Sequence, residues 1–124
     1  MESILTDFYT LQSYEKTENG GFMAIISLNK DHDIFKGHFP GNPVTPGVCM
    51  IQIVKELTEE FTGSKLFLKS ASNVKFMAII NPFETPELKL HLDIIESENE
   101  VKVKNTTSFG ETIALKMSVN YNKI

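Results

Sequence analysis

Apolar and polar residues alternate along much of the C-terminal part of the chain. Leu88, Leu90, Leu92 and Ile94 alternate with Lys89, His91 and Asp93. Val101, Val103 and Asn105 alternate with Lys102, Lys104 and Thr106. Ile113, Leu115, Met117, Val119 and Tyr121 alternate with Ala114, Lys116, Ser118 and Asn120. A period of two sends successive side chains to opposite faces of a strand, so these segments predict antiparallel strands with one dry and one wet face. Turn-like Ser97-Glu98-Asn99 and Phe109-Gly110-Glu111 separate them. Residues 22–28 are apolar without alternation and follow a turn at Asn19-Gly20-Gly21, which predicts a strand buried on both faces. Two further strands are predicted over residues 65–76 and, shorter, 9–16.

One segment has a different period. Residues 31–45 are rich in Gly and Pro and predict a loop. Pro46 is suited to the first turn of a helix, with Thr45 as its N-cap, and the helix is expected to run to about Thr62 and stop at Gly63. In its first half Val48, Met50, Ile51, Ile53 and Val54 point in nearly every direction, which predicts a buried helix. Its second half is amphipathic, with Leu57 and Phe61 inward and Glu56, Glu59 and Glu60 outward. Five or six antiparallel strands around one buried helix is an α+β arrangement, and 124 residues suit a single domain over the whole length.

Composition narrows the function classes. With 41% hydrophobic and 23% charged residues the chain matches an ordinary soluble protein. No apolar run nears the roughly 20 residues that cross a bilayer, and Met1-Glu2-Ser3-Ile4-Leu5 lacks an export pattern, so a cytoplasmic protein is expected. The lone Cys49 fits a reducing compartment. A net charge of −4 argues against nucleic acid or an anionic membrane as main partner. All 12 basic residues are Lys, so an anionic partner would be held by lysines, helix termini and backbone donors in place of Arg.

The stretch from Gly37 to Gln52 reads Gly-His-Phe-Pro-Gly-Asn-Pro-Val-Thr-Pro-Gly-Val-Cys-Met-Ile-Gln. It closely resembles the active-site segment of the β-hydroxyacyl-acyl carrier protein (ACP) dehydratases, whose fold is the hotdog. Asn73-Val74-Lys75-Phe76 resembles, more weakly, the family's strand after the helix. The resemblance implies a hotdog domain, a homodimer, and a substrate carried on the phosphopantetheine arm of ACP, with neither metal nor cofactor. It also implies that His38 is the catalytic base and that the helix-start amides near Gly47 and Val48 face the thioester oxygen. The family's acid comes from the partner's helix at the position that is Gln52 here, and an amide cannot exchange protons as a carboxyl does. Dehydratases often carry basic residues where this chain reads Met77-Ala78-Ile79-Ile80; Lys36, Lys69 and Lys75 are the candidate carrier-binding cations.

Bland readings weigh against several other residues. His38 outside such a motif would be read as a structural histidine. Glu56, one helical turn beyond Gln52, is a possible displaced acid but reads more simply as a solvated glutamate. His32, between Asp31 and Asp33, lacks tight ligand spacing and reads as part of a solvated loop; His91 faces the wet side of a strand; Cys49 reads as a small core residue. Three rival functions stand beside a dehydratase of fatty-acid or related acyl-chain synthesis. They are a non-catalytic acyl- or ACP-binding subunit pairing with an active homologue, a hotdog acyl-thioesterase, and a structural interaction domain.

Overall fold

A computed structural model describes residues 7–37 and 44–124. Six strands form one sheet: β1 (Tyr9–Lys16), β2 (Gly21–Leu28), β3 (Leu66–Phe76), β4 (Glu87–Glu96), β5 (Glu100–Phe109) and β6 (Thr112–Lys123). Their order is β1-β2-β4-β5-β6-β3, and every neighbouring pair is antiparallel. Two α-helices, α1 (Asp33–Gly37) and α2 (Gly47–Thr62), and a 3-10 turn over Glu18–Gly20 complete the described fold. This is the expected hotdog architecture, with α2 as its core helix.

The period-two pattern translates directly into packing. Leu88, Leu90, Leu92 and Ile94 on β4, and Val101 and Val103 on β5, are buried with Leu115, Met117, Val119 and Tyr121 on β6. They share one core cluster with Met50, Ile53, Val54 and Leu57 of α2. Ile113 departs from the pattern and is exposed: the β5–β6 register shifts between Thr107 and Ser108, and Ala114 is buried in its place. A bulge flips every residue beyond it to the other face, and alternation alone does not reveal it.

The start of α2 differs from expectation in two respects. Thr45 is not the N-cap: Pro46 is, and no side chain caps the helix. The Pro46 carbonyl already accepts Cys49 N at 3.0 Å and Met50 N at 3.3 Å, while Thr45 N is drawn away to Ile80 O at 2.9 Å. Nor is the first half of α2 buried all round, because Val48 is 74% exposed and Ile51 and Gln52 are half-buried. At the other end Gly63 closes the helix as expected, left-handed at φ 70°, with its N–H bonded to Glu59 O.

Other corrections follow from contacts distant in sequence. Residues 33–37 of the predicted loop form α1, whose Ile34 N–H donates to His32 Nδ1 at 3.1 Å. His32 is no loose loop residue; its ring meets Phe8 edge-on at 5.3 Å. Glu59 is turned partly inward, accepting Leu66 N at 2.8 Å and lying 3.7 Å from Lys55 Nζ. Glu60 is exposed, as predicted.

Strand β3 is the outer strand beside β6 and is exposed on both faces after Leu66. Phe67, Leu68, Val74 and Phe76 all lie open on it. Two register shifts interrupt it, and Asn73 adopts a left-handed φ of 53° at the second. Asn tolerates that conformation better than most residues, so the extra residue is accommodated there.

Candidate active site

The site is built around the N-terminus of α2. The amides of Gly47 and Val48 precede the first hydrogen bonds of the helix, and among the described residues nothing accepts from them. Unpaired amides and the helix dipole together favour a ligand oxygen that carries or develops negative charge. Beside Gly47 lies a hollow of about 230 Å³ lined by Val44, Thr45, Gly47, Phe76, Ala78, Ile79 and Ile80. Phe76 forms its wall so closely that a Cβ on Gly47 would stand 2.8 Å from Phe76 Cζ. A side chain at this position would therefore push the Phe76 ring aside. A similar hollow, lined by Ile25, residues 87–89 and residues 108–110, contains none of the motif residues.

Thr45 is 6% exposed, and its Oγ1 has no hydrogen-bond partner among the described residues. A buried hydroxyl left in that state costs about 1–3 kcal/mol. Its counterpart elsewhere in the core, Tyr121 Oη, is likewise buried without a partner.

Gln52 lies one face round the helix, half-buried. Its Nε2 donates to Glu56 Oε2 at 3.0 Å, and the Tyr9 hydroxyl donates to Glu56 Oε1 at 2.9 Å. Glu56 is thus a half-buried acceptor joining α2 to β1, not a solvated glutamate. Burial raises the Tyr9 phenol well above its ordinary range, and its bond to Glu56 and the charges of Glu56 and Glu60 add to the shift. Tyr9 was legible in sequence only as part of a strand, because its partner is 47 residues away.

His38 lies outside the described residues, as do Phe39, Pro40, Gly41, Asn42 and Pro43. Cys49 is buried, and burial raises its thiol pKa, which suits a core residue. His91 sits at the sheet surface 3.5 Å from Asp93. The three candidate lysines stand apart. Lys36 faces Asp33 on α1 at 3.6 Å. Lys69, at the first β3 register shift, is hydrogen-bonded to Glu100 and holds that carboxyl below its usual range. Lys75 pairs across the strands with Lys116, placing two positive charges side by side.

Comparison with known proteins agrees with this geometry. The chain is 35% identical over 91 residues to the 3-hydroxyacyl-[acyl-carrier-protein] dehydratase FabZ of Pediococcus pentosaceus, covering 68% of this chain and 60% of that protein. It is 32% identical over 109 residues to FabZ of Latilactobacillus sakei, covering 82% of this chain and 71% of that one. Among solved structures, the dehydratase heterocomplex ApeI:P from Xenorhabdus doucetiae matches with a TM-score of 0.73 at 21% identity, over 91% of this chain and 96% of that one. A hypothetical thioesterase with coenzyme A from Streptococcus pneumoniae matches with a TM-score of 0.67 at 9% identity, over 98% and 91%. At such identities the structures speak for the fold alone. The family model of the ApeI dehydratases matches residues 14–116, most of the chain. This chain belongs to the ApeI-like dehydratase family.

Proposed function

We propose that this protein acts on a 3-hydroxyacyl thioester carried by ACP, as a dehydratase-like protein of fatty-acid or related acyl-chain synthesis. The observation that carries this reading is the uncapped N-terminus of α2 opening beside an apolar hollow. Dehydration removes a proton from the carbon next to the carbonyl, breaks the neighbouring C–O bond and releases water. His38 is the base in this reading, a role that suits imidazole near neutral pH. The amides of Gly47 and Val48 take the charge that develops on the thioester oxygen. Gln52 occupies the position of the acid and can bind the departing hydroxyl without protonating it. Turnover is therefore expected to be slow.

The functional unit in this reading is a cytoplasmic dimer joined edge to edge through β3, with His38 of one protomer facing Gln52 of its partner. The exposed apolar residues of that strand support it, since an open edge of this kind invites pairing. Carrier docking is assigned to the lysines, Lys75 foremost because Lys116 adds to its positive charge. Binding of the acidic carrier should weaken as salt rises, since exposed charges are screened over about 10 Å at 0.1 M.

A second reading is a binding subunit that pairs with an active homologue. The engagement of the Gln52 amide with Glu56 favours it, and the related ApeI:P dehydratase is itself a heterocomplex. A turnover assay with a 3-hydroxyacyl-ACP separates the possibilities. An absorbing enoyl product supports the dehydratase, free thiol release supports a thioesterase, and binding without turnover supports the paired subunit.

A further inference from the structure

Val48, Gln52 and Glu56 follow one another at intervals of four and so share one face of α2. Gln52 Nε2 donates to Glu56 Oε2 at 3.0 Å, and the Tyr9 hydroxyl donates to Glu56 Oε1 at 2.9 Å. The two bonds engage both carboxylate oxygens. A carboxylate only accepts, whereas an amide carries donors at one end and an acceptor at the other. Glu56 therefore decides which way round the Gln52 amide stands. The nitrogen turns to the carboxylate, and the carbonyl oxygen is left on the other side. Tyr9 anchors Glu56 from β1, and burial keeps its phenol protonated, so it stays a donor. Gln52 is half-buried, and among the described residues its Oε1 has no partner. The second N–H belongs to the end that Glu56 holds, so the oxygen is the atom presented outward.

We propose that Glu56 and Tyr9 are positioning residues that hold the Gln52 carbonyl oxygen as an acceptor, so that the site selects an acyl chain with a 3-hydroxyl over one with a 3-ketone or a plain methylene at that carbon. The inference rests on the acyl-thioester reading above and adds to it the basis of substrate choice. A hydroxyl has a hydrogen to give to Oε1. A ketone has only lone pairs, which face those of Oε1, and a methylene leaves Oε1 without a partner. A site polar atom matched to a substrate group rejects analogues lacking that group more sharply than apolar contact does. A protonated carboxyl at position 52 would not draw the same distinction, since it can give its hydrogen to a hydroxyl or a ketone oxygen alike. The selectivity thus comes from Gln52 in combination with its orienting partners.

The experiment measures binding of three unreactive pantetheine-linked acyl amides of equal length, bearing a 3-hydroxyl, a 3-ketone or a plain methylene. The native protein, Glu56→Gln and Tyr9→Phe are compared, and the Tm of each is recorded. The native protein is expected to bind the hydroxy analogue about tenfold more tightly than either other, the effect of one neutral hydrogen bond. In Glu56→Gln the new amide can turn either end to Gln52, so the orientation of Gln52 is no longer fixed. That variant is expected to bind all three within about threefold of one another, with the methylene analogue unchanged from native. Tyr9→Phe is expected to shrink the preference in the same direction. Equal native binding of the three analogues overturns the inference and leaves the acyl-thioester reading standing. A hydroxy preference that survives both substitutions overturns the role of Glu56 and Tyr9. A parallel loss of all three ligands with a lowered Tm overturns it in favour of a structural role. If the native protein binds none of the three, the acyl-thioester reading itself falls and this inference with it.

Discussion

Gln52 and Glu56 are joined side chain to side chain along one face of α2, Nε2 to Oε2 at 3.0 Å. Residues four apart on a helix are neighbours, so the pair is a consequence of spacing. Tyr9 adds a third member from β1 by donating to the other Glu56 oxygen. An acid is therefore present on this helix face, one turn beyond the position that the family resemblance assigns to the catalytic acid. One Gln52 N–H is committed to it, and among the described residues the carbonyl and the second N–H have no partner.

Gln52→Glu brings a second carboxyl to within hydrogen-bonding distance of Glu56. Two carboxyls so close do not both ionise readily, so the pair keeps a proton to a higher pH than an isolated glutamate. That is the form an acid catalyst needs. The substitution should raise dehydration measurably, toward the roughly 10²–10⁴ that a positioned acid contributes. The gained rate should fall as pH rises through the raised apparent pKa, and adding Glu56→Gln should move that fall to lower pH. His38→Ala in the same background should abolish the gain. Brisk native turnover with no response to Gln52→Glu would sink this account.

Tyr9 ties the first strand to the core helix through a bond to a charged group. Tyr9→Phe should destabilise the protein by about 1–2 kcal/mol, the lower part of the range for such bonds because the site is only half-buried. Urea unfolding curves measure it, and an unchanged midpoint would show the bond to be energetically idle.

The same residue gives a pH signature. The phenols of Tyr9 and Tyr121 are both raised, each mainly by burial. The unfolded chain releases these protons near pH 10, the folded chain only above it, so stability should be intact below about pH 10 and fall as pH rises beyond. Phenolate absorbance should show both groups ionising together with unfolding. Independent ionisation of either in the native state would contradict the burial that places them.

Gly47→Ala tests the close packing at the helix start. The added Cβ would meet the Phe76 ring at 2.8 Å. That ring is 50% exposed on an outer strand and has room to swing, so the fold should survive with a small change in Tm. The hollow would lose its wall, and acyl-thioester binding should drop at least tenfold, a loss of about 1.4 kcal/mol. Normal binding by this variant would mean that the hollow is not where the thioester sits.

The β3 edge makes a prediction about assembly. Light scattering at micromolar concentration should report a dimer, either of this chain or, if an active homologue is required, only once that partner is added. Leu68→Lys with Val74→Lys should weaken it by about 100-fold, the effect of removing roughly 3 kcal/mol of central apolar contact. A native protein that stays monomeric alone and with every candidate homologue would remove the shared-site arrangement.

Most of the elements, though not α1, were legible in the order of residues. Alternation set the strands β4 to β6, Gly63 ended α2, and the run from Gly37 to Gln52 identified the family segment. These features are local: side-chain period and backbone preference act within a few residues. The rest depended on how distant segments pack together. The partnership of Tyr9 with Glu56 spans 47 residues, and the wall that Phe76 gives Gly47 comes from a strand laid beside the helix start. The inward turn of Glu56, the exposure of Val48 and the unsatisfied hydroxyl of Thr45 follow from which surfaces meet. No period along the chain encodes that choice, because burial of a polar group depends on the partners that distant segments bring to it.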